Sequence, residues 1–143
     1  MKKQNRRERA FTLVEMMAVV VIIGLLAAVI GPKIFKNVGT AQQTTAKQEI
    51  NTIMQAITMY RFATNQLPQD LRDLYKEPDG VKGWNGPYLD KRARDPWDED
   101  YQYQQPGGND REYDVFSYGA DKAEGGDGLD ADIVSWEEDD DNS

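Results

Sequence analysis

The hydropathy pattern of the chain changes character twice. Residues 11–30 read FTLVEMMAVVVIIGLLAAVI, an apolar run interrupted by one charge, Glu15. At ~1.5 Å rise per residue, twenty helical residues span ~30 Å, the thickness of a bilayer's hydrocarbon core. The run therefore predicts a membrane-length helix. Gly31-Pro32 follows it. A proline inside a helix removes one backbone hydrogen bond and crowds the preceding turn, so a kink or local unwinding is expected there. Beyond it, Ile34, Val38, Ala41, Ile50, Ile53, Met54, Ile57 and Tyr60 recur at three- and four-residue spacing, separated by Lys, Gln, Asn and Glu. One apolar stripe at that period predicts that the helix continues to about Thr64, where Asn65, Gln66 and Leu67-Pro68 break the pattern.

The second change comes after this helix. Leu67, Leu71 and Leu74 are spaced for one short helix, which Glu77-Pro-Asp-Gly80 ends with turn residues. Residues 82–100 mix Gly, Pro and charge and read as a loop-rich connection. Alternation of apolar and polar residues then predicts strands at Tyr101-Gln-Tyr103-Gln-Gln and Tyr113-Asp-Val115-Phe116-Ser-Tyr118, joined by the turn Pro106-Gly-Gly-Asn-Asp110. Ile133-Val-Ser-Trp136 is a third candidate. Two or three antiparallel strands packed on the helix stripe make an α+β fold with a small core.

Charge adds direction. Residues 1–10, MKKQNRRERA, hold five basic residues and one acidic one. The whole chain is at −8, so residues 11–143 carry −12. A basic leader keeps the N-terminus in the cytoplasm and sends the acidic remainder across the membrane. The apolar run is too long for a cleavable secretory signal and no A-x-A-like site follows it. The small residue is Ala10, on the leader side, so a cut there would leave the apolar helix as the new N-terminus. A carboxylate at membrane depth costs roughly 2.5–3.5 kcal/mol, so Glu15 needs a partner or a proton. The amine freed at Phe11, on the same chain or a neighbouring one, would supply it. An outer domain at −12 repels phosphates, which argues against nucleic acid. There is no Cys and no His, so zinc and thiol chemistry give way to oxygen ligands. With no nucleophile motif either, nothing in the sequence points to an enzyme.

A basic leader, a small residue, then Phe11-Thr-Leu-Val-Glu15 and an apolar helix resemble the class III signal of type IV pilin-like proteins. Asp95-Pro-Trp97 and the Gly-rich acidic stretch from Ser117 to Trp136 narrow this: the chain resembles the major pseudopilins of type II secretion systems. The resemblance departs at Ala10 and Asp98, where that family usually has Gly. It implies that a prepilin peptidase cleaves between Ala10 and Phe11 and methylates the Phe11 amine, and that Glu15 serves assembly. It implies residues 1–10 as leader, 11–31 as transmembrane and filament-core helix, and 32–136 as the pseudopilin domain. The acidic tail, residues 137–143, reads as a solvated end. The function implied is that of a structural subunit polymerising into the periplasmic pseudopilus, which drives folded proteins across the outer membrane. Its partners would be copies of itself, minor pseudopilins and the inner-membrane secretion platform. Its location would be the bacterial inner membrane, crossed once. The alternatives are a type IV pilin for adhesion or motility and a membrane-tethered, calcium-dependent binding module. Such pilins commonly carry a C-terminal disulfide, which this chain cannot form, and a simple tether has no use for Glu15 or the Ala10-Phe11 junction.

Asp121, Glu124, Asp127, Asp130 and Asp132 fall within twelve residues, with glycines at 125, 126 and 128. Composition alone fits a solvated acidic loop or a calcium site, since calcium takes six to eight oxygens at ~2.3–2.6 Å. An EF-hand is excluded, because Ala123 and Gly125 stand where its side-chain ligands would fall. The resemblance implies a calcium-binding loop in which Asp121, Asp130 and Asp132 contribute side chains and Tyr118 its backbone carbonyl. It leaves Glu124 and Asp127 to solvent.

Overall fold

The computed structural model describes residues 12–136, apart from the side chain of Pro32. The leader, the Ala10-Phe11 junction and the acidic tail at 137–143 lie outside the described residues. One helix, α1, runs over Leu13–Thr64 and ends where the sequence pattern breaks. It stays helical through Gly31 and Pro32, so the unwinding expected there is absent. The chain divides into two compact units, Met1–Asn37 and Val38–Ser143.

In the first unit, every described residue from Thr12 to Ile30 is exposed. This stretch of α1 is long and apolar enough to cross a membrane, and none of it is buried against the rest of the chain. Among the described residues, nothing covers its apolar side chains.

The second unit has a core. Ala46, Ile50, Ile53, Ala56, Ile57 and Tyr60 of α1 are buried together with Leu74, Tyr101, Val115 and Ile133. The buried stripe begins at Ala46. Ile34, Val38 and Ala41, expected to belong to it, are exposed. Helical periodicity names the face that can be covered, and the strands and loops decide how much of its length they cover.

Three antiparallel strands form the cover: β1 (Gln102–Gln104), β2 (Asp114–Ser117) and β3 (Ile133–Val134), in the order β1-β2-β3. Tyr103 pairs with Val115, Phe116 with both Gln102 and Val134, and Ser117 with Ile133. Successive strand residues face opposite ways, so Val115 and Ser117 turn inward while Phe116 turns outward. Phe116 packs edge-to-face on Tyr118 and Trp136, with centroids 5.4 and 6.0 Å away.

The short helix expected near Leu71 is a 3-10 turn, Leu71–Leu74, started by a capping box in which Asp70 and Asp73 satisfy each other's backbone. Residues 82–100 are irregular but contribute to the core. Trp84, Tyr88, Leu89, Ala93 and Trp97 pack against it, and Trp84 Nε1 donates to the Asp73 carbonyl at 2.9 Å.

Candidate functional site

Glu15 sits in the first turn of α1. Its Oε2 accepts from the Thr12 backbone N–H at 2.9 Å and from the Thr12 hydroxyl at 3.1 Å, and its own N–H donates to Thr12 Oγ1 at 3.2 Å. This is a reciprocal capping box, which satisfies backbone donors that a helix start leaves open. The Thr-x-x-Glu spacing carries this signal in the sequence, beside the ion-pair role that its depth in the membrane implies for Glu15. The Phe11 amine, the other expected partner, lies outside the described residues.

The Asp95-Pro-Trp97 turn is a second constructed feature. Asp95 is buried and accepts from the backbone N–H of Trp97 at 3.0 Å and of Glu99 at 2.8 Å. Its other oxygen accepts from the Ser117 hydroxyl, which is completely buried and itself accepts from Gly119 N at 3.1 Å. One carboxylate thus joins the turn to the end of β2 and to the start of the acidic loop. Asp98 has φ 65, the left-handed geometry that glycine adopts freely. Arg94 compensates, donating to the Asp98 carbonyl at 3.0 Å and to its carboxylate at 2.7 Å.

The acidic loop then follows Tyr118. Asp121 Oδ1 accepts from Ala123 N at 3.1 Å. The Glu99 carboxylate, 2.6 Å from Lys122 Nζ, holds that ammonium above its ordinary pKa and ties the loop to the Asp95 turn. Gly125 and Asp132 bond reciprocally: Gly125 N donates to Asp132 Oδ2 at 3.0 Å, and Asp132 N donates to the Gly125 carbonyl at 3.2 Å. Asp130 closes a short 3-10 turn, Gly128–Asp130. Two glycines here have no alternative. At Gly126 (φ 84) a Cβ would lie 2.3 Å from the Asp130 carbonyl oxygen, and at Gly119 (φ 71) it would lie 2.8 Å from that of Ala131.

The structure bonds Asp132 to Gly125 and sets the Asp130 carbonyl against Gly126 and the Ala131 carbonyl against Gly119. It does not gather the expected carboxylates: among the described residues, no three acidic side chains stand close enough to hold a metal ion. Asp121 and Asp130 remain exposed. One observation fits a cation nonetheless. Asp132 Oδ1 is buried and has no hydrogen-bond partner among the described residues, and a buried acceptor left unpaired is costly. A hard cation that also accepts main-chain oxygens would satisfy it.

Comparison with known proteins decides the family. The model described as "Type II secretion system (T2SS), protein G" matches residues 33–136. The chain belongs to this family. The model of the prokaryotic N-terminal methylation motif matches residues 5–31. The type II secretion system core protein G of Pseudomonas aeruginosa is 43% identical over 141 residues, covering 94% of this chain and 99% of that protein. Its counterpart from Vibrio cholerae is 39% identical over 140 residues, covering 94% and 95%. The crystal structure of the major pseudopilin from the type 2 secretion system of enterohaemorrhagic Escherichia coli matches with a TM-score of 0.61 at 27% identity. It covers 70% of this chain and 87% of that one. The family expected from the Phe11–Glu15 and Asp95–Trp97 motifs is the one found.

Proposed function

We propose that the chain is a structural subunit of a type II secretion pseudopilus, anchored in the bacterial inner membrane by α1 with its N-terminus cytoplasmic. Prepilin peptidase removes residues 1–10 and methylates Phe11. Copies of the chain then assemble, with minor pseudopilins and the inner-membrane platform, into a periplasmic filament that drives folded proteins outward. The observation carrying this reading is the first stretch of α1, whose apolar side chains are all exposed and need a membrane or neighbouring helices to cover them. Glu15 lies at the head of that stretch and, in a packed filament, its charge is met by a neighbour's Phe11 amine.

Glu15→Gln separates the two roles of this residue. Gln also closes a capping box, so the helix start survives while the charge is lost. Removing one partner of a desolvated ion pair costs roughly 3–5 kcal/mol. Glu15→Gln is therefore expected to be processed and inserted but to yield few filaments by microscopy. Wild-type filament yield would show that the charge is dispensable.

The acidic loop is assigned to calcium on the unpartnered Asp132 Oδ1. Asp132 would hold the ion, and Asp121, Asp130 and the Tyr118 carbonyl, which this structure does not gather around it, would close on it when it binds. The ion would neutralise like charges in a unit with little core to resist their repulsion. Binding to the folded state alone adds ~2.7 kcal/mol at a hundredfold excess over Kd. The full chain in detergent should melt lower in EGTA than in millimolar calcium, and Asp132→Ala should erase the difference. An unchanged Tm in EGTA would leave a solvated acidic loop.

A further inference from the structure

The acidic loop rests on α1 at a defined place. Between Gly119 and Asp132 it has a single large apolar side chain, Leu129. A Cβ on Gly39 would lie 2.9 Å from Leu129 Cδ1 and 3.0 Å from Cδ2, so Leu129 occupies the room that this glycine leaves on the helix. One turn further along, Gln43 Nε2 donates to the Gly128 carbonyl at 2.7 Å. Gln42 Nε2 reaches the Pro96 carbonyl at 3.3 Å, in the turn that Asp95 joins to Gly119 through Ser117. Loop and turn therefore both hold the same helical segment. That segment is intrinsically weak, because glycine is among the least favourable residues in a helix interior.

We propose that Leu129 on Gly39 and Gln43 on Gly128 form a clasp that couples the order of the acidic loop to the order of α1 at residues 39–43. The chain gives up helix propensity at Gly39 to admit Leu129, and the loop in return covers the turn that glycine weakens. Coupling of this kind is reciprocal: whatever orders one element orders the other, and by the same factor. A cation in the loop would then be felt at the helix, a consequence that rests on the calcium reading above.

Hydrogen exchange on the full chain in detergent, read by mass spectrometry in EGTA and in 1 mM calcium, tests this. In EGTA, Leu129→Ala should raise exchange several-fold across residues 39–46 of the helix. Gln43→Ala should do the same across residues 124–132 of the loop. Gly39→Ala sharpens the test, since it strengthens the helix intrinsically yet must displace Leu129, so loop exchange should rise. Changes confined to the element carrying each substitution would overturn the clasp. With calcium, protection should extend to both elements in the parent chain and to the loop alone in Leu129→Ala. Protection of the loop alone in the parent chain would keep the calcium reading and refute the clasp. Absence of protection in both would refute the calcium reading, and the variants in EGTA would still decide the clasp.

Discussion

Within α1, Leu13 is 79% exposed and Ile57 is 0% exposed, although both belong to apolar runs of one helix. The second residue is covered by the strands and loops of its own chain and the first by nothing among the described residues. The comparison separates two uses of hydrophobic surface. Around Ile57 burial stabilises this fold, at ~25 cal/mol per Å² of apolar area removed from water. From Leu13 to Ile30 the same free energy is available only to something outside the chain, a lipid phase or other copies. Such an uncovered stretch is a liability for an isolated soluble domain and a requirement for a filament subunit.

Substitutions of equal chemistry should therefore have unequal effects. Ile57→Ala removes buried methyl groups and leaves a cavity, for a loss of about 3 kcal/mol in stability of the second unit. Ile22→Ala, in the exposed stretch, should leave that unit's Tm unchanged. Equal losses in thermal melts of the full chain would break the comparison.

A smaller effect reads the second region by pH. Burial raises the pKa of Tyr60, Tyr101, Tyr103 and Tyr113, in the case of Tyr103 to about 12. Tyr101 also donates to the Glu49 carboxylate at 2.6 Å, and Tyr103 to the Pro68 carbonyl at 3.0 Å. The folded state holds these phenolic protons more tightly than the unfolded chain does. Their contribution is complete below pH 10 and is lost as pH rises above it, that of Tyr103 through about 12. Melts across that range should show Tm falling, and Tyr103→Phe should flatten the fall. A Tm constant to pH 12 would mean that these hydroxyls are not desolvated.

The smallest effect concerns Asp98. Left-handed geometry costs a non-glycine residue about 1 kcal/mol, and the exposed Arg94–Asp98 pair returns less than that. Asp98→Gly should raise stability by a few tenths of a kcal/mol. A measurable loss would show that the Arg94 contacts outweigh the strain.

These regions also mark what could be read from the sequence. The length of α1, its end at Thr64, the antiparallel pair β1 and β2, and β3 as a third candidate follow from periodicity and turn residues, which are local. The start of the buried stripe at Ala46 is not local, because it depends on where β1, β2 and the loop at 82–100 come to rest. Ala56 is buried in the core for a related reason: a small apolar residue beside Ile57 carries little pattern of its own. In the loop, acidic content and glycines were visible. The bond from Ser117 to Asp95, twenty-two residues apart, and the seat of Leu129 on Gly39 were not, since no spacing rule links positions brought together only by the fold. The Thr12–Glu15 box, by contrast, is legible from its spacing alone.

The central claim is that the exposed apolar stretch of α1 is covered only in the membrane or the assembly. The chain has no cysteine, so Ile22→Cys and Phe62→Cys each introduce one unique thiol. Phe62 is 94% exposed on the second unit. In native membranes and in sheared filaments, a membrane-impermeant maleimide applied from the periplasmic side should label Cys at 62 and spare Cys at 22 until detergent and denaturant are added. Labelling of Cys at 22 in intact filaments, at a rate matching that at 62, would contradict the account.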